Sequence, residues 1–167
     1  TTFDVDAAAA EAMDARAMAG DSSAWTNLST FRGHGGKLIF LHGLSDPWFS
    51  AQESVRYYQQ LAGDNAEVPL ETWSRLFLVP GMGHCGGGAG TTCFGNQQSP
   101  SPIVDADHDL LMALDAWVEQ GRAPERIIAS RVVDGATART RPLCPFPRKA
   151  VYTGSGSTDD ATSFVCR

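Results

Sequence analysis

The chain has 167 residues, 43% of them hydrophobic, with 13 Lys and Arg against 19 Asp and Glu for a formal charge of −6. That size fits a single domain over residues 1–167, and the acidic balance, with no basic run interleaved with aromatics, lacks the electrostatic footprint that nucleic acid or an anionic membrane surface needs. The longest apolar runs, at 38–41 and 127–129, fall far short of the roughly 20 residues that cross a bilayer.

The first residues, Thr1-Thr2-Phe3-Asp4-Val5-Asp6, carry acid where a signal peptide carries Lys or Arg, so no targeting segment is expected within the chain. Residues 7–19, Ala-rich with Met13 and Met18, predict a helix that stops at Gly20-Asp21-Ser22-Ser23. The Gly33-His34-Gly35-Gly36 turn then opens onto Lys37-Leu38-Ile39-Phe40-Leu41-His42, a buried, parallel-type strand that ends at Gly43. Ser50 is the expected N-cap of a helix over about 51–62, with Glu53 three residues on, Val55, Tyr58 and Leu61 on one face, and Gly63 as its stop. A second apolar run, Arg75-Leu76-Phe77-Leu78-Val79, ends at Pro80-Gly81. Strand, helix, strand makes a βαβ unit. Its right-handed crossover brings the loops after both strands to one edge of the sheet, where open α/β sheets place their chemistry.

Residues 86–102 read as a long loop. Asp105 or Asp107 precedes a helix over about 108–120, whose Leu110, Leu111, Leu114, Trp117 and Val118 form an apolar core stripe and whose stop is Gly121. A β-like run at 127–133, a Pro-rich turn and a polar tail follow. In that tail, Gly154-Ser155-Gly156-Ser157-Thr158-Asp159-Asp160 has neighbouring acids and no preceding strand, which favours a surface turn over an anion cradle or metal site.

Four cysteines, at 85, 93, 144 and 166, allow three pairings, and an even count favours disulfides and hence a secreted or periplasmic protein. A Cys144–Cys166 bridge would pin the C-terminal tail by closing a loop of about 22 residues, worth about 3 kcal/mol. His84, Cys85, Cys93 and His108 match no standard zinc spacing, so neither a metal nor a cofactor is expected.

The chemistry concentrates in two segments, His42-Gly43-Leu44-Ser45-Asp46-Pro47 after the first strand and Pro80-Gly81-Met82-Gly83-His84-Cys85-Gly86 after the second. Taken singly, an Asp before Pro is an ordinary turn starter and a Gly-flanked His an ordinary polar surface residue. On one sheet edge they read as acid and base: Asp46 accepts a hydrogen bond from one ring nitrogen of His84, and the other nitrogen is left to take a proton. In α/β-hydrolases the order along the chain is nucleophile, acid, base, which puts the nucleophile upstream.

Gly35-Gly36-Lys37-Leu38-Ile39, the two loop motifs, Tyr57-Tyr58, the Gly86-Gly87-Gly88 run after His84-Cys85, Arg141-Pro142-Leu143-Cys144-Pro145 and the closing Gly/Ser/Asp turn together resemble the tannase/feruloyl esterase family over nearly the whole chain. The resemblance extends to its branch that hydrolyses the monoester of terephthalate and ethylene glycol. It implies Asp46 as the triad acid, His84 as the base, a Cys144–Cys166 disulfide, and Cys85 as the partner of a cysteine beside the catalytic serine. It also implies hydrolysis of aromatic acid esters, feruloyl, galloyl or terephthalate-type, and by extension an aromatic polyester.

The family's N-terminal half, with its Cys-x-Ser-x-Gly nucleophile elbow, oxyanion donors and calcium-bearing lid, has no counterpart here, and no Gly-x-Ser-x-Gly occurs. The expected fold is therefore α/β, a partial or minimal α/β-hydrolase-type domain with a mostly parallel sheet and flanking helices. Three readings follow: one part of an esterase whose Ser lies on a missing N-terminal chain; an active short form with a substitute nucleophile, Ser45 being nearest; or a binding domain, with a homodimer formed through the unpaired sheet edge. A Cys85–Cys93 bridge would favour the self-contained form, and a free Cys85 the fragment. Trp48 and Phe49 offer an aromatic surface to the aryl group of a substrate, or pack under the loop.

Overall fold

A computed structural model describes residues 3–12 and 22–167. Its elements are α1 (Val5–Ala12), α2 (Ser29–Gly33), β1 (Leu38–Gly43), α3 (Ala51–Asp64), β2 (Ser74–Val79), α4 (Leu110–Gln120), β3 (Ile127–Val133), β4 (Ala136–Leu143), β5 (Ala150–Tyr152) and β6 (Phe164–Cys166). The remainder of the expected first helix, with Met13 and Met18, lies outside the described residues. No helix among the described residues is long and apolar enough to cross a membrane.

β1 and β2 pair in parallel, from Leu38 opposite Ser74 to Gly43 opposite Val79, with α3 as the crossover between them. Successive side chains of a strand point to opposite faces, and β2 sorts its residues accordingly. Leu76 and Leu78 join Phe40 in the cluster under α3, around Tyr58, Leu61 and Trp73. Phe77 and Val79 pack on the other side with Met82, Phe94, Ala113, Ile127 and Ala129. Burial on both faces is the reason these strands are continuous apolar runs rather than alternating ones.

Helix α3 begins at Ser50, whose hydroxyl accepts from the Gln52 N–H at 3.2 Å. It runs past Gly63, the expected stop, to Asp64. The end is held by Asn65, a buried side chain whose amide donates to the Leu61 carbonyl at 2.9 Å and to Thr26 at 2.8 Å, supplying a donor for a helix-end carbonyl. Helix α4 is shorter than the expected 108–120. Its cap is Asp109, which accepts from the Leu111 and Met112 N–H groups, while Asp105 turns the preceding loop by accepting from Asp107 and His108. Gly121 ends it with a left-handed φ of 69°. The buried side of α4 is Ala113, Ala116 and Trp117; Leu111 and Val118, expected in the core stripe, are exposed.

The sheet departs from the mostly parallel expectation. Among the described residues β1–β2 is the parallel pair, whereas β3–β4 and β5–β6 are antiparallel. The cause for β3–β4 is the two-residue turn Asp134-Gly135, both at positive φ (51° and 78°), which matches the twist of a hairpin. The Pro-rich segment after β4 joins the parallel pair, Phe146 N–H donating to the Leu76 carbonyl at 2.8 Å. The 154–160 stretch is an exposed turn.

Cys144 and Cys166 are disulfide-bonded across 22 residues. A two-stranded hairpin such as β5–β6 is marginal by itself, so the bridge restrains a segment with little core of its own. Replacing both cysteines by serine is expected to cost about 3 kcal/mol, the loop-closure entropy returned to the unfolded chain, read as a lowered urea midpoint.

Candidate active site

The loops after β1 and β2 are laced together by their backbones. Leu44 N–H donates to the Val79 carbonyl and Ser45 N–H to that of Met82, each at 2.9 Å. Gly43 permits the approach, since a Cβ there would run into the carbonyl oxygens of Met82 and Gly83. The lacing delivers Asp46 and His84, 38 residues apart, to one point: His84 Nδ1 lies 2.8 Å from Asp46 Oδ2.

Asp46 is held by its own loop as well. Its Oδ1 accepts from the Trp48 N–H at 2.8 Å and the Phe49 N–H at 3.2 Å, and its side chain is 5% exposed. Burial alone would raise its pKa, but the Trp48 N–H, the His84 hydrogen bond, the Phe49 N–H and the charge of His84 together outweigh it and bring the carboxyl down from 3.8 to about 2. An ionised carboxylate only accepts, so Nδ1 of His84 carries a proton and donates it, leaving the Nε2 lone pair free. A carboxyl depressed on folding stabilises the folded state above its unfolded pKa, and that contribution disappears as pH falls through the folded value. Melting temperatures of wild type and Asp46→Asn are therefore expected to differ most above pH 3.8 and to converge as pH approaches about 2, followed by circular dichroism across that range.

The His84 side chain is 32% exposed and lies against Trp48 and Phe49, with ring centroids 4.7 and 5.4 Å away. Those two aromatics are themselves 72% and 62% exposed. All four residues line a cavity of about 720 Å³ that also takes in His42, Ser54, Cys85 and Asn96. Among the described residues no cluster of three or more His, Cys, Asp or Glu is arranged to hold a metal ion.

The other expected site residues fall differently. Ser45 is exposed, does not line this cavity, and its hydroxyl makes no hydrogen bond to His84; its backbone is committed to Met82 while the adjacent Asp46 turns toward the imidazole. Cys85 and Cys93, for which a bridge to each other or a free Cys85 were the alternatives, are free thiols. Cys93 is fixed by reciprocal backbone hydrogen bonds to Ser130 of β3, whereas Cys85 is exposed at a φ of 60° in the Gly-rich turn, its carbonyl taking the Asn96 amide at 3.0 Å.

His42 and Ser54 were not singled out as functional in the sequence. His42 Nδ1 lies 2.6 Å from Ser54 Oγ, and its Nε2 lies 3.2 Å from the Phe49 carbonyl and 3.6 Å from Asp46 Oδ2. A carbonyl only accepts, so Nε2 carries the proton and Nδ1 accepts from the serine hydroxyl. The loop that bears Asp46, Trp48 and Phe49 is thus tied to both β1 and α3. The available signal was positional: His42 is the last side chain of β1 before its terminal Gly43, and Ser54 lies one turn past the N-cap.

A family model described as tannase and feruloyl esterase matches residues 2–167. The chain is 44% identical over 145 residues to a mono(2-hydroxyethyl) terephthalate hydrolase of Piscinibacter sakaiensis, covering 84% of this chain and 21% of that protein. It is 41% identical over 157 residues to an uncharacterized esterase of Xanthomonas campestris, covering 84% and 27%. The crystal structure of an esterase from Aspergillus oryzae superposes with a TM-score of 0.84 at 33% identity, over 99% of this chain and 34% of that one. The chain thus spans between about a fifth and a third of the length of these relatives. With the match running essentially from end to end, the chain belongs to the tannase and feruloyl esterase family.

Proposed function

We propose that this chain supplies the acid and base of a serine-type hydrolase of aromatic carboxylic esters, with nucleophile and oxyanion donors contributed by chain outside these 167 residues. The observation that carries the reading is the 2.8 Å contact between Asp46 and His84 Nδ1, which leaves the other ring nitrogen unbonded in a residue lining the same cavity as Trp48 and Phe49. In this mechanism His84 Nε2 takes the serine proton as the hydroxyl attacks the ester carbonyl. Asp46 stabilises the imidazolium, which then protonates the departing alcohol; water repeats the cycle on the acyl-enzyme. Trp48 and Phe49 present flat apolar surface to an aryl acid of feruloyl, galloyl or terephthalate type. Cys85, a free exposed thiol next to His84, is the partner for a cysteine beside the nucleophile. The Cys144–Cys166 bond supports an oxidising, secreted or periplasmic location.

One contact favours a second reading, an active short form: the Ser54 hydroxyl rests on His42 at 2.6 Å. Treatment with a serine-reactive fluorophosphonate, followed by peptide mapping and assay on methyl ferulate, separates the two. Under the first reading the 167-residue chain alone takes no label. Joined to the upstream segment of the Aspergillus oryzae esterase, it hydrolyses the ester and labels at a serine of that segment. Labelling of Ser54 with turnover by the chain alone would overturn it.

A further inference from the structure

A second cavity, of about 470 Å³, lies between the C-terminal end of β2, the strand β4 and the β5–β6 hairpin, and shares no lining residue with the cavity around His84. Leu78, Phe146 and Phe164 give it an apolar floor. Arg139, Arg141, Arg148 and Lys149 line it, and no carboxylate does, although the chain as a whole carries a charge of −6.

Two of these cations are already neutralised. Arg139 pairs with Asp159 at 2.5 Å and Arg148 with Glu125 at 2.6 Å. Among the described residues Arg141 has no carboxylate within ion-pair distance; its guanidinium donates to the Thr140 carbonyl at 3.2 Å and lies over the Phe164 ring, 4.0 Å from its centroid. Lys149 likewise has no ion pair among the described residues. A half-buried guanidinium held over an aromatic ring and bonded to a backbone carbonyl has its position set before a ligand arrives, and its planar fork suits a carboxylate. Burial, followed by the nearby charge of Arg139, pushes the Arg141 pKa down, against the opposing pull of Asp159.

We propose that this cavity is a binding site for a small aromatic carboxylate, its carboxylate on Arg141 and Lys149 and its ring against Phe164 and Leu78. The volume falls in the range of small-molecule sites, which combine an apolar lining with a few placed polar groups. A bare inorganic anion would leave the apolar floor unused, and a neutral aromatic would leave Arg141 unpaired. The ligand class follows from the cavity's own groups and does not rest on the acid–base reading of Asp46 and His84.

The test is a titration of the ¹⁵N-labelled 167-residue chain with cinnamate, followed by amide chemical shifts, with acetate and methyl cinnamate as the two half-ligands. Cinnamate is expected to shift the amides of Arg141, Ala150 and Phe164 saturably, and each half-ligand to bind at least about tenfold more weakly. Arg141→Gln is expected to weaken cinnamate binding by about tenfold or more and exposed Lys149→Gln by a smaller factor, with His84→Ala unchanged. Should Arg141→Gln fail to fold, Lys149→Gln and the wild-type shift map decide. The proposal is overturned by shifts centred on His84 and Trp48, by an absence of saturable shifts, by full affinity in the charge variants, or by acetate binding as tightly as cinnamate.

Discussion

Replacing His84 by alanine is expected to lower kcat on an aromatic ester by about 10⁶-fold in the protein that joins this chain to its nucleophile. Without an imidazole the serine must ionise unaided and the alcohol must leave without its proton, so both halves of the reaction lose their proton carrier. Asp46→Asn is expected to cost less, about 10⁴-fold, because the base remains but an amide no longer selects the Nδ1–H tautomer or stabilises the imidazolium. His84 is partly exposed and carries none of the core packing, so His84→Ala should keep the wild-type circular dichroism spectrum, with the urea midpoint lowered only by the loss of the hydrogen bond to Asp46. Steady-state kinetics on methyl ferulate beside a urea melt read both properties. Wild-type turnover in His84→Ala would remove His84 from the mechanism.

The largest expected effect on stability is that of Phe77→Ala. Phe77 is fully buried in the middle of β2, opposite Leu41 of β1, in the cluster that joins Val79 and Met82 to α4, β3 and β4. Truncating such a ring removes its transfer free energy and leaves a cavity that the surrounding backbone cannot fully close, a cost of about 3–5 kcal/mol. Against the roughly 5–15 kcal/mol that holds an ordinary domain folded, this is a large share. Urea denaturation of the variant should show a much lower midpoint with little change in slope, since the surface exposed on unfolding is nearly the same. A midpoint within error of wild type would mean that β2 does not organise the core.

Several parts of the molecule were legible residue by residue because their causes are local. Ser50 caps α3 where a serine before helix formers should, and Gly121 ends α4 in the left-handed conformation that glycine adopts without penalty. The apolar runs at 38–42 and 75–79 become β1 and β2 because both of their faces are covered. The meeting of Asp46 with His84 was also readable, since a parallel pair with a helical crossover leaves its two following loops at one edge. Trp48 and Phe49 end against His84, where their place two and three residues past the acid put them within reach.

What the sequence by itself determined is therefore the βαβ unit, the Ser50 cap of its helix and the shared edge of Asp46 and His84, all of which follow from periodicity, capping chemistry and strand geometry over short stretches. Only the tertiary structure decided among competitors that are locally equivalent. Asp105, Asp107 and Asp109 are each chemically able to cap α4, and Asp109 does so where Leu110 docks on the core and its N–H reaches the Phe94 carbonyl. Gly63 yields to Asn65 because the Asn65 amide finds carbonyls on both Leu61 and Thr26, 39 residues apart in the second case. Cys93 is held on Ser130 and not on Cys85, Leu111 and Val118 face outward, and His42 sits between Ser54 and the Phe49 carbonyl. Each of these outcomes depends on a partner distant in the chain, and a linear pattern carries no term for what packs against it.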